Sequence, residues 1–464
     1  MVEEESVQCR HFPTNLMPPT PPGLEALYFT CRRIYPDQTN PLQVAALVKY
    51  WLGGPDPLDY ISMYANQGNP SQGIPAHWHY ISFGLSDLHG DGRVHEISGP
   101  DTPSGFGFEL TFRLKRELDE TAPPTWPATL LQALAKYVFQ SGNTLCAGDH
   151  VSWHCALDNS ESRIQHMLMS TDPQIPTTVT PFGLVNFIQV VGVCKEELLA
   201  AQRWNGPGVL DILKRLPGSG GSWLITDMRR GESMLELDPL AQEVIDRGIE
   251  TDGSNLSGVS ARCSWSEINS LISGDGGCLR EGPAMRQHAD TDQIEAALKK
   301  GSLNTKPVLP PIKPNSDCHK LEARGNSFNE NCFGFASDRL EPTELLRTKR
   351  LDSLHLTFNL ESGILLPLAI RGRVRHGRHF TFKSVLGDTA ITLVTTSVTG
   401  TFVDVDKPYV AHGPWLQVLI TEDFIDEMAE TLEPLNNPDE LTLPKTFFWG
   451  DRRLAITVLA DSRF

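Results

Sequence analysis

The stretch YVFQSGNTLCAGDHVSWHCALDNSESRIQHMLM, residues 137–169, joins the end of an apolar helix to two short strands through a polar segment. Tyr137 closes a helical run over 128–139, Gly142-Asn143 turns the chain, and Asp149 to His154 alternates polar and apolar residues as a half-buried strand does. Function belongs in the polar segment, where an anionic Asp149 stands near a phenol. Two roles are open to Asp149, flanked by Gly148 and His150: capping a turn, or binding a partner.

Outward from this stretch, apolar residues at Leu24, Leu27, Tyr28, Cys31 and Ile34 predict a helix stopped by Pro36. A second helix is expected from Asn40-Pro41 to Leu52, ended by Gly53-Gly54-Pro55. His79–Leu85 and Val94–Ile97 read as a hairpin across the glycines at 90 and 92. In Phe106–Arg116 apolar residues alternate with Gly107, Glu109, Thr111 and Arg113, which predicts one core face and one wet face. Phe182–Cys194 reads as a buried strand, Lys195–Trp204 and Val209–Leu216 as helices, and Trp223–Thr226 as a strand. A helix over Leu237–Gly248 then leads to a strand over Asn255–Ala261, and the first domain is expected to end near 265.

Residues 266–345 lose aliphatic character and gather Pro307, Pro310, Pro311 and Pro314, as an extended insertion does; a short helix is expected within it up to Gly301. From Leu354 strands return at 354–358, 364–374, 379–385, 391–398, 415–421 and 454–459, with one helix over Glu422–Leu432. The expected fold class is α+β: a disordered tail over 1–20, an N-terminal lobe over 21–265, a mostly disordered insertion over 266–345 and a C-terminal lobe over 346–464. Each lobe is a mixed or antiparallel sheet with packed helices.

With 464 residues and 40% hydrophobic composition, the chain has enough material for two or three cores. No apolar run approaches the roughly 20 residues of a membrane helix, and the acidic start at Glu3, Glu4 and Glu5 is unlike a secretory signal. Nine scattered cysteines fit reduced thiols, so the expected location is cytoplasm and nucleus. A net charge of −17 argues against direct nucleic-acid binding.

Cys146, His150 and His154 are spaced by four, but the segment is a turn and strand with no C-x-x-C half, so a zinc site is not the reading adopted. His77-Trp78-His79 and the histidines at 376 and 379 read as satisfied framework residues. Gly218-Ser219-Gly220-Gly221 fits neither a nucleophile elbow nor a phosphate loop. No cofactor is expected. A metal-dependent enzyme or module using Asp149, His150 and His154 stays as a rival reading, as does a plain scaffold.

The opening stretch, together with YWLGGPDPLDYISMY at 50–64, HWHYISFGLSDLHGDGRVHE at 77–96, TDGSNLSGVSA at 251–261, SGILLPLAIRGRVRHGRHFTFKS at 362–384 and AHGPWLQVLITEDF at 411–424, resembles the Suppressor of fused family of negative regulators of Hedgehog signalling. The resemblance implies a non-enzymatic protein whose two lobes flank a cleft. It also implies Gli/Ci zinc-finger transcription factors as partners, along with the kinase Fused and other pathway members. A Ser-Tyr-Gly-His segment of the partner would be added as a β-strand. Carried onto this sequence, the contacts implied are Tyr137 and Asp149, holding the partner histidine, with Val259, Ala261 and Leu365.

Overall fold

The computed structural model describes residues 20–268 and 348–463. The expectations for 1–19 and 269–345, including the short helix before Gly301, lie outside the described residues. The chain forms two compact units, Met1–Gly248 and Ile249–Phe464.

The first unit is built on an eight-stranded sheet. Its strands are β1 (Leu42–Ala45), β2 (Tyr60–Asn66), β3 (His77–Phe83), β4 (Pro103–Lys115), β5 (His150–Ser152), β6 (His166–Thr171), β7 (Thr178–Thr180) and β8 (Gly183–Val193). Their spatial order is β1-β2-β3-β4-β8-β6-β5, with β7 also on β8. Only β4 and β8 pair in parallel; the other pairings in this sheet are antiparallel. Helix α1 (Pro22–Ile34) carries Leu24, Leu27 and Cys31 into a core with Ile81, Phe83 and Phe187. Helix α2 (Trp126–Ser141) buries Leu130, Leu131, Leu134 and Val138 against Tyr80, Leu110 and Phe112. Successive residues of β3 thus serve two cores, as the two-residue period of a strand requires. Helices α3 (Lys195–Arg203) and α4 (Gly206–Arg215) follow β8.

Several expectations are corrected. Residues 42–52 are not a helix: Leu42 to Ala45 pair antiparallel with Met63 to Tyr60, and only Tyr50–Leu52 makes a helical turn. Pairing with a formed sheet outweighs local propensity here. The expected strand at 94–97 is absent, because the chain after β3 is captured by carboxylates. Glu109 accepts the N–H groups of Gly84 (2.8 Å) and Ser86 (3.0 Å), and Asp87 accepts those of His89 and Gly90. Residues 223–226 make no strand beyond a bridge between Leu114 and Thr226. The helix expected over 237–248 runs instead from Ala241 to Asp252, as α5.

The wet face expected on β4 is buried: Glu109, Thr111 and Arg113 are each 0% exposed. Arg113 Nη2 reaches both oxygens of Asp172 (2.9 and 3.0 Å), and Arg113 Nη1 donates to His77 Nε2 (2.8 Å). Beside them His79 joins Asp172 (3.2 Å) to the Tyr35 hydroxyl (2.8 Å). A charge is tolerated at such depth only when it is paired and hydrogen-bonded. Burial works against ionisation of Asp172, but His79 and Arg113 more than offset it and hold its carboxyl far below the usual range.

The second unit contains two sheets. Their strands are β9 (Gly258–Ala261), β10 (Cys263–Ser266), β11 (Thr348–Arg350), β12 (Leu354–Asn359), β13 (Phe380–Ser384), β14 (Ala390–Val394), β15 (Tyr409–His412), β16 (Trp415–Leu419), β17 (Lys445–Trp449) and β18 (Leu454–Leu459). One sheet runs β11-β15-β16-β14-β13-β9 and the other β10-β12-β18-β17. Both feed one core containing Phe358, Phe380, Phe382, Leu416 and Ile456, onto which helix α6 (Glu422–Thr431) places Phe424 and Met428.

The boundary expected near 265 lies earlier, at Gly248/Ile249, because β9 and β10 pair with β13 and β12 of the second unit. The strand expected over 364–374 is a chain of helical turns. Pro367 sits in the first turn of one of them, where its missing N–H costs nothing. Arg373 pins the segment by donating to the carbonyls of Ser254 (2.9 Å) and His379 (3.0 Å).

Candidate functional site

Helix α2 ends at Gly142, whose left-handed backbone (φ 70°) lets its N–H return to the Val138 carbonyl at 2.9 Å. Tyr137, 47% exposed, lies in the last turn, and its hydroxyl accepts from Asn143 Nδ2 at 3.0 Å. The loop that follows is anchored by the buried Leu145 and closes in a tight turn. Asp149 Oδ2 accepts from the Cys146 N–H (2.7 Å), and the Asp149 N–H donates to the Cys146 carbonyl (3.0 Å). Gly148 and Asp149 both bond to Met169, at 2.7 and 2.8 Å, as in a β-bulge that aims the exposed carboxylate outward. Asp149 therefore caps a turn with Oδ2. No described residue claims Oδ1.

Asp149 leads into β5, the terminal strand of the eight-stranded sheet, which pairs only with β6. Main-chain groups along a strand point alternately to either side. Since the Asp149 carbonyl accepts from Met169, Asp149 and Val151 are committed to β6, and His150 and Ser152 turn their N–H and C=O groups to the open edge. Burial lowers the His150 imidazole pKa against the pull of Asp149.

In the second unit β9 is likewise a terminal strand, parallel to β13. The carbonyls of Ser257 and Ala261 accept from Thr381 (3.0 Å) and Val385 (2.9 Å). By the same alternation Val259 also faces β13, and Gly258 and Ser260 present their main-chain groups to the open edge. Ala261 is 2% exposed and Val259 packs against the same core, so their side chains shape the strand from below. Leu365 is half-buried against that core too, in the turn after Ser362, whose hydroxyl accepts from the Arg262 N–H at 3.3 Å. The structure thus groups Tyr137 with Asp149 in one unit, and Val259, Ala261 and Leu365 in the other. The four edge residues His150, Ser152, Gly258 and Ser260 escaped the sequence reading. Their only signal is strand parity, which requires the pairing partner.

Among the described residues no group of three His, Cys, Asp or Glu side chains is placed to hold a metal ion, so Asp149, His150 and His154 do not form the centre the rival reading needs. His154 packs edge-on against His166 (5.3 Å), whose Nδ1 accepts from the Trp153 N–H. No described helix is long and apolar enough to cross a membrane.

These features define an α+β protein of two mixed-sheet units, each with an open edge strand beside the candidate residues. Residues 54–231 match the family described as Suppressor of fused protein, and residues 243–458 match the Suppressor of Fused Gli/Ci N terminal binding domain. The chain is 58% identical over 447 residues to the Suppressor of fused homologs of Homo sapiens and Mus musculus, covering 95% of this chain and 92% of theirs. It also resembles the crystal structure of Drosophila Suppressor of Fused, with a TM-score of 0.68, 38% identity and coverage of 95% of this chain and 97% of that one. The chain belongs to the Suppressor of fused family.

Proposed function

We propose that the protein is a negative regulator of Hedgehog signalling that binds Gli/Ci zinc-finger transcription factors and retains them in the cytoplasm, restraining their activity. The binding step is strand addition. A partner segment with a Ser-Tyr-Gly-His core pairs with the outward main-chain groups of β5 and of β9. The observation that carries this reading is that both strands end their sheets, one led by Asp149 and the other carrying Val259 and Ala261.

The partner histidine donates to Asp149 Oδ1, since Oδ2 is already engaged by Cys146, and the Tyr137 hydroxyl supplies a second polar contact. Val259, Ala261 and Leu365 set the apolar base under the second edge. The match of residues 243–458 to a Gli/Ci-binding domain supports the choice of partner. The kinase Fused is a further partner on the family resemblance, and the protein works in cytoplasm and nucleus.

A calorimetric titration of a Ser-Tyr-Gly-His peptide into the wild type and Asp149→Arg tests the reading. Asp149→Arg replaces the acceptor with a cation that repels an imidazolium, and binding falls below detection at micromolar protein. Undiminished binding would instead favour a scaffold that does not use this edge.

A further inference from the structure

The run Arg371-Gly372-Arg373-Val374-Arg375-His376-Gly377-Arg378-His379 concentrates positive charge in a chain whose net charge is −17. Two of its arginines are neutralised, Arg371 by Glu433 and Arg375 by Asp426. The other two are not. Arg373, only 8% exposed, donates Nε to the His379 carbonyl and Nη1 to the Ser254 carbonyl (3.0 and 2.9 Å). Arg378, on the surface, directs Nη1 to the same Ser254 carbonyl at 3.4 Å. No ion pair joins either guanidinium to a carboxylate among the described residues.

A buried cation without a counter-charge is unfavourable, and a second beside it adds repulsion. Burial and the neighbouring Arg378 indeed lower the Arg373 pKa. The corner holds a further unused donor or acceptor. His376 packs its ring where a Cβ on Gly253 would stand (3.1 Å), and its Nε2 is buried with no hydrogen-bond partner. Asp252, next along the chain, accepts from the Thr251 hydroxyl.

The corner's position gives it a use. Ser254 precedes Gly258, the first outward-facing residue of β9, by four residues, and Arg378 precedes Thr381, the partner of Gly258, by three. The arginines therefore stand at the N-terminal end of the open edge.

We infer that Arg373 and Arg378, with the Gly253-Ser254 turn, form an anion site for a carboxylate or phosphate carried by the partner segment where it runs off the N-terminal end of β9. This rests on the strand-addition reading above. Guanidinium forks suit two-oxygen anions, and a bound anion relieves the repulsion between the two cations.

The test is an anisotropy series on the whole chain. Peptides with the Ser-Tyr-Gly-His core carry one glutamate at successive positions on either flank, beside a neutral parent, and the best position is repeated with phosphoserine. One flank alone gains, by about five- to twentyfold as for a partly screened charged hydrogen bond, and more for phosphoserine. The gain shrinks with salt, is competed by inorganic phosphate down to the neutral peptide's affinity, and disappears in Arg378→Gln, a surface change that does not threaten folding. Equal affinities along the series, or a gain that survives Arg378→Gln, overturn the inference. So does phosphate binding with no peptide gain, which makes the corner a site for free anions only. If the neutral parent itself fails to bind the wild type, strand addition falls and the partner-borne anion with it.

Discussion

Acidification should unfold the first unit through two histidines that have no role at the candidate site. Burial, reinforced by Arg113, lowers the pKa of His77 to about 3 and that of His79 to about 4, although Asp172 opposes the shift at both. Their hydrogen bonds fit neutral rings. His77 accepts from Arg113 at Nε2 and donates from Nδ1 to the Pro75 carbonyl, and His79 accepts from the Tyr35 hydroxyl and donates to Asp172. In the unfolded chain both imidazoles take a proton near pH 6.5. Below that pH the unfolded state binds protons that the folded state refuses, so stability falls as pH falls, until each folded pKa is reached.

Each histidine approaches a slope of about 1.36 kcal/mol per pH unit below its unfolded pKa, and together they remove about 3 kcal/mol between pH 6.5 and 5. That is a large share of a domain's usual ~5–15 kcal/mol. Native-state hydrogen exchange at the amides of Leu110 and Phe112, with urea as the driver, reads the first unit separately from the second. His77→Gln combined with His79→Gln should lower stability at pH 7 and flatten the profile between pH 6.5 and 5. A profile equally steep in the variant would refute the assignment of the protons to these rings.

If Asp149 receives a protonated partner histidine, the bound imidazole pKa lies above its free value of about 6.5, so affinity weakens as pH rises from there through the bound pKa and then levels. Asp149→Asn, which keeps an acceptor for the Cys146 N–H, should cost about 1.5–3 kcal/mol of binding in calorimetry and remove that pH dependence while leaving unfolding unchanged. Ser260→Pro deletes one outward N–H without touching the bonds to β13; peptide affinity should drop by about 0.5–1.5 kcal/mol or more with β9 intact, and an unaltered affinity would mean this edge is not used. Glu109→Gln keeps one oxygen for the N–H groups of Gly84 and Ser86 but turns a donor toward the Ser82 hydroxyl and the Leu85 N–H, and urea unfolding should show a loss of about 1–3 kcal/mol.

Strands β4, β8 and β18 and helices α2 and α6 were legible in the sequence because their periodicity is long and strong. The buried polar face of β4 was not: Glu109, Thr111 and Arg113 alternate as a wetted face would, but Asp172, about sixty residues away, satisfies Thr111 and Arg113, and residues 82–86 satisfy Glu109. Residues 364–374 carry enough aliphatic character to read as a strand, and only Pro367 hinted at a helical turn. Val44 reads equally as helix or strand until β2 is there to pair with it. At the candidate site, Asp149 was visible as an acid in a turn, and the turn-capping role is realised beside the one proposed for it. The residues Tyr137, Val259, Ala261 and Leu365 came from family resemblance, since no local pattern distinguishes a framework aliphatic from one beneath a docking edge.

Strands β9 and β10 are separated by the single residue Arg262, yet they enter different sheets, β9 against residues 381–384 and β10 against residues 355–358. The whole of 269–347 is thus spliced into the second unit rather than strung between two. A protease cutting anywhere in that stretch would sever the chain without releasing a domain, because the upstream fragment keeps two strands woven into the downstream one. Conversely, a fragment begun at residue 346 would lack the edge on which the proposed partner docks, and would regain it only by complementation with a fragment that supplies residues 258–266.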